Sequence, residues 1–292
     1  MAAFVTISTF VALFAVAIPW PGWRNWIWRE LVFFTGDIRR LRSFPWFTWS
    51  QDAYLITFEE ILPALPLVKF GDIGLHRSSG FLSNFFIKGF MKHAWIHVQD
   101  GTERPEIVEA VSEGVMLRNS IHPIQSDYTI ILTPTDSAGV TDEHRKGACL
   151  KAKSLKGVPY DPHFKFNIEE ELKYLLGNKV EEAKHDLEVG KEQIRSYSIA
   201  FSCTEVVAYS WWHLRENLGI KRKKSWGKHV ILADSFLNDH WRIKWASASV
   251  TPEAARKLRL HPKGVKMIEE YRQAAATDKT PDPEAGKKQS RV

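Results

Sequence analysis

One cysteine stands out for its position. Ser202-Cys203-Thr204-Glu205 opens an amphipathic helical stretch, and a His-bearing strand, Lys92-His93-Ala94-Trp95-Ile96-His97-Val98, lies roughly a hundred residues upstream. A thiol at a helix N-terminus meets unpaired backbone N–H groups and the positive end of the helix dipole, both of which favour the thiolate. Nucleophilic thiol chemistry needs three parts: the sulfur, an imidazole that takes and returns a proton, and a polar group that orients the imidazole. Cys203 supplies the first. His93 and His97 are candidates for the second, on one face of a strand and about 13 Å apart, so only one of them is expected to meet the sulfur.

The third part follows from strand pairing. Ala94 to Val98 alternates, meets Gln99-Asp100-Gly101, and is followed by the apolar run Ile107-Val108-Glu109-Ala110-Val111, which together predict a hairpin. A turn near 100–104 sets Val98 opposite Glu106 and Trp95 opposite Glu109. His93 is then one diagonal step from Glu109, a gap of about 7–8 Å that a Glu side chain can bridge. A carboxylate in so apolar a strand is costly to bury without such a partner; the alternative is that Glu109 faces solvent at an edge. The backbone N–H of Cys203 is an available oxyanion donor, and the Ser202 and Thr204 hydroxyls flank the thiol as candidate substrate-binding groups, the commoner role of such residues being to cap a helix.

Other elements must position these groups. Val68 to Leu75 reads as a short strand broken by a turn, Tyr128 to Leu132 as a strand ended by Thr133-Pro134, and Thr141 as the cap of a helix running from Asp142 to Lys156 and stopped by Gly157. Cys149, beside Ala148 and Ala152 in that helix, reads as a core residue. The cysteine-bearing helix is expected to run to about Asn217.

The 292 residues, 44% apolar, allow one large domain or two small ones. The net charge of +6 is spread among acidic residues without a nucleic-acid-binding motif, so it reads as a weak membrane-surface signal and no nucleic-acid partner is expected. Two cysteines make neither a disulfide framework nor a zinc ligand set, and His93 and His97 on a strand lack the helical spacing of a zinc motif. Neither a metal nor another cofactor is expected.

Ala2 to Trp20 carries no charge and is long enough to cross a bilayer, as an uncleaved anchor or, alternatively, a secretion signal. Residues 1–21 are thus expected to place the protein at a membrane. Trp23, Trp26 and Trp28, interleaved with Arg24 and Arg29, give 22–66 the composition of an interfacial, helical arm. Arginines after the apolar run would keep the bulk of the chain cytoplasmic, whereas a retained signal would place it outside; the side stays open. A compact domain is expected over 67–250, with a charged helical insertion at 168–195, a basic cluster at 221–224, a C-terminal helix over 251–272 and a disordered tail over 273–292.

Five fragments occur in a telling order: Gly71-Asp72-Ile73, Lys92-His93-Ala94-Trp95-Ile96, Ile107-Val108-Glu109-Ala110, Gly157-Val158-Pro159-Tyr160-Asp161 and Phe201-Ser202-Cys203-Thr204-Glu205. This order, together with Ile231 to Asp239 as a closing segment, resembles the permuted papain-like amidases of the NlpC type, in particular the YiiX/YaeF-like branch. Base precedes nucleophile, the reverse of papain. The resemblance covers about Val68 to Ala248 and implies an α+β, circularly permuted papain-like fold, with an antiparallel sheet packed against the cysteine helix.

By the same resemblance Cys203 is the nucleophile, His93 the base, Glu109 the third polar member, and Tyr160 lines the pocket. The family commonly has Ser where this chain has Lys92 and a small residue where it has Trp95, so Trp95 is expected to narrow the pocket. The implied activity is that of a membrane-associated cysteine hydrolase acting on a peptide, amide or lipid-linked substrate through an acyl-enzyme. Two alternatives stand beside it. One is a lipid-directed thiol acyltransferase or thioesterase of the lecithin retinol acyltransferase-like type; the other is a membrane-tethered binding protein without turnover.

Overall fold

The computed structural model describes residues 38–40, 47–48, 56–79, 81, 89–99, 106–119, 121–124, 126–160, 201–221, 223–225 and 228–277. The expected anchor, most of the Trp-rich arm, the charged insertion, the side chains of most of the basic cluster and the tail beyond Thr277 lie outside them. Among the described residues no helix is long and apolar enough to cross a membrane.

A six-stranded antiparallel sheet organises the chain. Its strands are β3 (Ile73–Arg77), β4 (His93–His97), β5 (Glu106–Val111), β6 (Gly114–Asn119), β7 (Tyr128–Pro134) and β10 (Trp241–Ala246), in the order β10-β7-β3-β4-β5-β6. Two short ribbons stand apart from it: β1 (Arg39–Arg40) with β2 (Phe47–Thr48), and β8 (Lys223–Ser225) with β9 (Lys228–Val230). The helices are α1 (Phe58–Ile61), α2 (Ile121–Ile124), α3 (Asp142–Ser154), α4 (Cys203–Ser210), α5 (Pro252–Lys257) and α6 (Pro262–Thr277). This is the mixed α and β architecture expected, built on an antiparallel sheet against which α4 packs.

Period-two alternation divides the sheet's side chains between two cores. Ile73, Leu75, Ala94, Ile96, Val108, Ala110, Ile130 and Leu132 join Val206 and Val207 of α4 and Ala148, Cys149 and Ala152 of α3. Trp95, Ile107, Ile131 and Trp245 cover the other face, against Ile56, Ile61, Ala64, Leu65 and Val68. The folded domain therefore begins before Leu67: part of the segment expected to belong to the arm is core, because the second sheet face is apolar and needs a cover.

At the centre of that second face Trp95 lies across Gly74, its register partner on β3. A Cβ at Gly74 would stand 1.9 Å from the indole, so the strand accepts the ring only because this residue has no side chain. This corrects the expectation that Trp95 narrows a substrate pocket. It is completely buried and donates its indole N–H to His97 Nε2 at 3.0 Å, which leaves it no surface for a ligand.

Several local expectations hold. Thr141 caps α3, with its hydroxyl accepting from the His144 N–H, and Cys149 is buried with its thiol donating to the His97 carbonyl at 3.4 Å. Others differ. Helix α4 is not amphipathic but buried on every side except at Tyr209, and it ends at Ser210 before a 3-10 turn at Trp212–Leu214. The expected C-terminal helix is two helices, and α6 runs on to Thr277, because Gln273-Ala274-Ala275-Ala276 are strong helix formers that extend it into the predicted tail.

Candidate active site

The hairpin pairing matches the expected register. Trp95 faces Glu109, Ile96 faces Val108, and the Val98 N–H donates to the Glu106 carbonyl at 2.9 Å. His93, the first residue of β4, is then diagonal to Glu109, and its Nε2 meets Glu109 Oε2 at 2.8 Å. The Glu109 side chain is only 3% exposed, so the solvent-facing alternative does not apply. Its other oxygen, Oε1, is 3.7 Å from Arg118 Nη1. Arg118 lies two residues along β6 from Met116, the register partner of Glu109, and so on the same face.

Cys203 arrives from the other side of the sheet. Its helix packs on the Ala94 and Ile96 face, and the helix N-terminus reaches the beginning of β4, where Sγ lies 4.0 Å from the Lys92 carbonyl oxygen. There the charge of the Cys203 sulfur acts on the His93 imidazole. The ring is hydrogen-bonded to the Glu109 carboxylate and follows Lys92, whose carbonyl oxygen is the sulfur's neighbour, whereas His97, four residues further along the strand, takes no part.

The two histidines differ electrostatically. Burial works against a charged His93, but the Coulombic and hydrogen-bonding pull of the Cys203 sulfur and of Glu109 outweighs it and raises the imidazole to about 10. Burial alone would push Glu109 up; the hydrogen bond and charge of His93, assisted by His76 and Arg118, leave it lowered. His97, by contrast, is pushed down to about 4, mainly by burial, with Asp72 opposing and Lys244 adding to the effect. It is a neutral core histidine.

Two further elements hold the site. The loop entering β4 is clamped by Asp234, whose Oδ2 accepts from the Phe90 N–H at 2.6 Å and Oδ1 from the Met91 N–H at 2.7 Å. Gly89 turns that loop at φ +103, and a Cβ there would stand 2.6 Å from Asp234 Oδ2. Asp72, fully buried at the start of β3, accepts from Arg145 Nη1 and from Lys244 Nζ, each at 2.9 Å, joining the sheet to α3 and β10. The Gly-Asp-Ile and Asp234-containing fragments are thus scaffold for the site rather than reacting groups.

Ser202, Thr204 and Tyr160 take particular places. The Ser202 N–H donates to Glu205 Oε2 at 2.7 Å, fixing the first turn of α4. The Ser202 and Thr204 hydroxyls are buried and 3.4 Å apart. Tyr160 forms a parallel bridge with Phe201, and the Phe201 N–H donates to the Pro159 carbonyl at 3.0 Å, so residues 160 and 201 meet beside the start of the helix.

Sequence reasoning missed His76 and Arg118. The His76 ring stacks on His93 with centroids 4.7 Å apart, and Nδ1 is 2.8 Å from the Pro123 carbonyl oxygen. No turn fixes the register of β3 on β4, so this neighbour was not readable from the chain. The strand carrying Arg118 was missed because Val115-Met116-Leu117 does not alternate; β10, also missed, does alternate, as Trp241-Arg242-Ile243-Lys244-Trp245. Among the described residues no group of three or more His, Cys, Asp or Glu side chains is placed to hold a metal ion.

No protein-family model matches this chain, and no curated protein matches it. A solved structure, the crystal structure of metalloprotein yiiX from Escherichia coli O157:H7 (DUF1105), is similar over 60% of this chain and 95% of that chain, with a TM-score of 0.41 and 15% sequence identity.

Proposed function

We propose that this protein is a membrane-associated cysteine hydrolase that cleaves an amide bond through Cys203, His93 and Glu109. One observation carries the reading: an imidazole hydrogen-bonded to a buried carboxylate beside a helix-N-terminal thiol, raised to about 10 by the charges of the two together. A buried carboxylate in a core strand is expensive unless it serves its partner, and here the partner is a histidine on which the sulfur acts electrostatically.

In this reading His93 takes the proton of the Cys203 thiol. The Cys203 thiolate attacks the substrate carbonyl carbon, forming the C–S bond, and the oxyanion accepts from the Cys203 N–H at the head of α4. His93 gives its proton to the leaving nitrogen as the C–N bond breaks. Water then transfers a proton to His93 and attacks the thioester; the acid departs and the thiolate returns. Glu109 stabilises the imidazolium throughout and holds its orientation. Membrane association rests on the uncharged run from Ala2 to Trp20.

The test is selective labelling followed by turnover. Iodoacetamide should alkylate Cys203 of the native protein much faster than Cys149, and peptide amides and phospholipids offered separately should leave an acyl adduct on Cys203 with the amide alone. Cys203→Ala should abolish turnover. Equal, slow alkylation of both thiols in the native protein would refute the reading, and an adduct formed from phospholipid alone would redirect it to lipid acyl transfer.

A further inference from the structure

The second oxygen of Glu109 has a cation of its own. Glu109 lies on β5 between β4 and β6, and its register partners on the two sides, Trp95 and Met116, are both apolar. Oε2 meets His93 Nε2 at 2.8 Å from the β4 side, and Oε1 meets Arg118 Nη1 at 3.7 Å from the β6 side. The carboxylate is therefore held across the sheet from both neighbouring strands, with Oε2 turned toward the imidazole.

Arg118 does not belong to Glu109 alone. Residues 112–113 form the turn between β5 and β6, and from it Glu113 Oε2 lies 3.8 Å from Arg118 Nη2 while accepting from the Ser112 hydroxyl at 2.7 Å. Both guanidinium contacts are ion pairs too long to be hydrogen bonds, and they are nearly equal in length, so the cation is shared. The two carboxylates differ in setting. Glu109 is buried and Glu113 exposed, and a charge pair in the interior is screened less than one in water. Burial works against the charge of Glu109; His93 from β4, His76 from β3 and Arg118 from β6 support it, and Glu113 from the turn repels it.

We infer that Arg118 is a positioning residue for the proposed reaction: it grips the far oxygen of Glu109, keeps that carboxylate charged and turned toward His93, and is itself tempered by Glu113. The inference rests on the cysteine-hydrolase reading for its chemistry, whereas the geometry of Glu109, Arg118 and Glu113 stands without it. Arg118 acts through Glu109, and its effect on the sulfur passes through His93. Because the cation is shared, removing it and removing its outer carboxylate change the charge around Glu109 in opposite directions.

The test is a carbon NMR titration of the full chain, isotopically labelled at the glutamate carboxyl carbons, with the Glu109 signal assigned from Glu109→Gln. Arg118→Met should raise the Glu109 midpoint by about one pH unit, and Arg118→Lys should restore it, since an ion pair of this length needs the charge and not the fork of a guanidinium. Glu113→Gln, an exposed and size-conserving change that serves should Arg118→Met fail to fold, should lower the same midpoint by a smaller step. The downfield proton signal of the His93 Nε2–H reports orientation: it should weaken in Arg118→Met and return in Arg118→Lys. Equal midpoints in wild type and Arg118→Met, or shifts of one sign in Arg118→Met and Glu113→Gln, would overturn the inference. With a peptide amide as the probe, Arg118→Met should lower kcat several-fold at unchanged KM. A wild type that turns over no amide would instead sink the hydrolase reading, and the Glu109 titration would still decide the role of Arg118.

Discussion

Replacing Glu109 with Gln keeps the shape of the third site member and removes its charge. In the native protein His93 holds its proton to about 10; relative to an ordinary histidine near 6.5, at about 1.36 kcal/mol per pKa unit, this is a preference for the imidazolium on the order of 5 kcal/mol. Cys203 and Glu109 both contribute against the cost of burial. An opposite charge in direct contact typically accounts for about 1–3 units, and the 2.8 Å contact with a carboxylate only 3% exposed belongs to the stronger cases. In Glu109→Gln the midpoint of His93 should therefore fall to about 7–9.

The assay is an NMR titration of the imidazole Cε1–H signals in histidine-labelled protein, with His93 assigned from a His93→Asn variant. Stability should follow the same group. A folded-state value above the unfolded one stabilises the protein fully below about 6.5, and that contribution is lost as pH rises through about 10. The wild type should thus lose stability over this alkaline window and Glu109→Gln should lose less. A wild-type His93 that titrates near 6.5, or a Glu109→Gln midpoint within half a unit of the native one, would refute the reasoning.

Other outcomes follow from the same structure. Gly74→Ala drives a methyl to 1.9 Å from the Trp95 indole and should destabilise the protein by about 1–3 kcal/mol or more, read as a lower urea midpoint, whereas Gly74→Ala with Trp95→Leu should recover part of that loss. His97, neutral in the core down to about 4, should make stability fall as pH drops from about 6.5 towards 4, by up to about 3 kcal/mol. In His97→Gln, which keeps an acceptor for the Trp95 N–H, urea midpoints at pH 7 and pH 4.5 should differ less; an unchanged difference would count against the assignment.

Much of the candidate site was legible locally. A two-strand register is fixed by a turn and by which residues are apolar, so the pairing of Trp95 with Glu109, and hence of His93 with Glu109 across the diagonal, could be derived from residues 93 to 111 alone. The capping of α3 by Thr141 and the burial of Cys149 were readable for the same reason: each depends on neighbours a few positions away. The identity of Trp95 misled, because a large aromatic residue in a strand says nothing of what lies across from it. Only the β3 partner, a glycine, shows that the ring lies flat inside the protein.

What the chain alone determined is the inventory and its short-range geometry: a thiol at a helix start, a hairpin that aligns an imidazole with a carboxylate, and an uncharged N-terminal run. The fold decided which histidine lies at the end of the strand where the sulfur arrives, that His76 stacks on it and Arg118 lies beside Glu109, and that Asp234 and Asp72 are scaffold. The physical reason is that these contacts join residues tens to more than a hundred positions apart. No local propensity encodes such meetings; they exist because two apolar sheet faces each required a cover, and burying them brought the end of β4 and the head of α4 to one place.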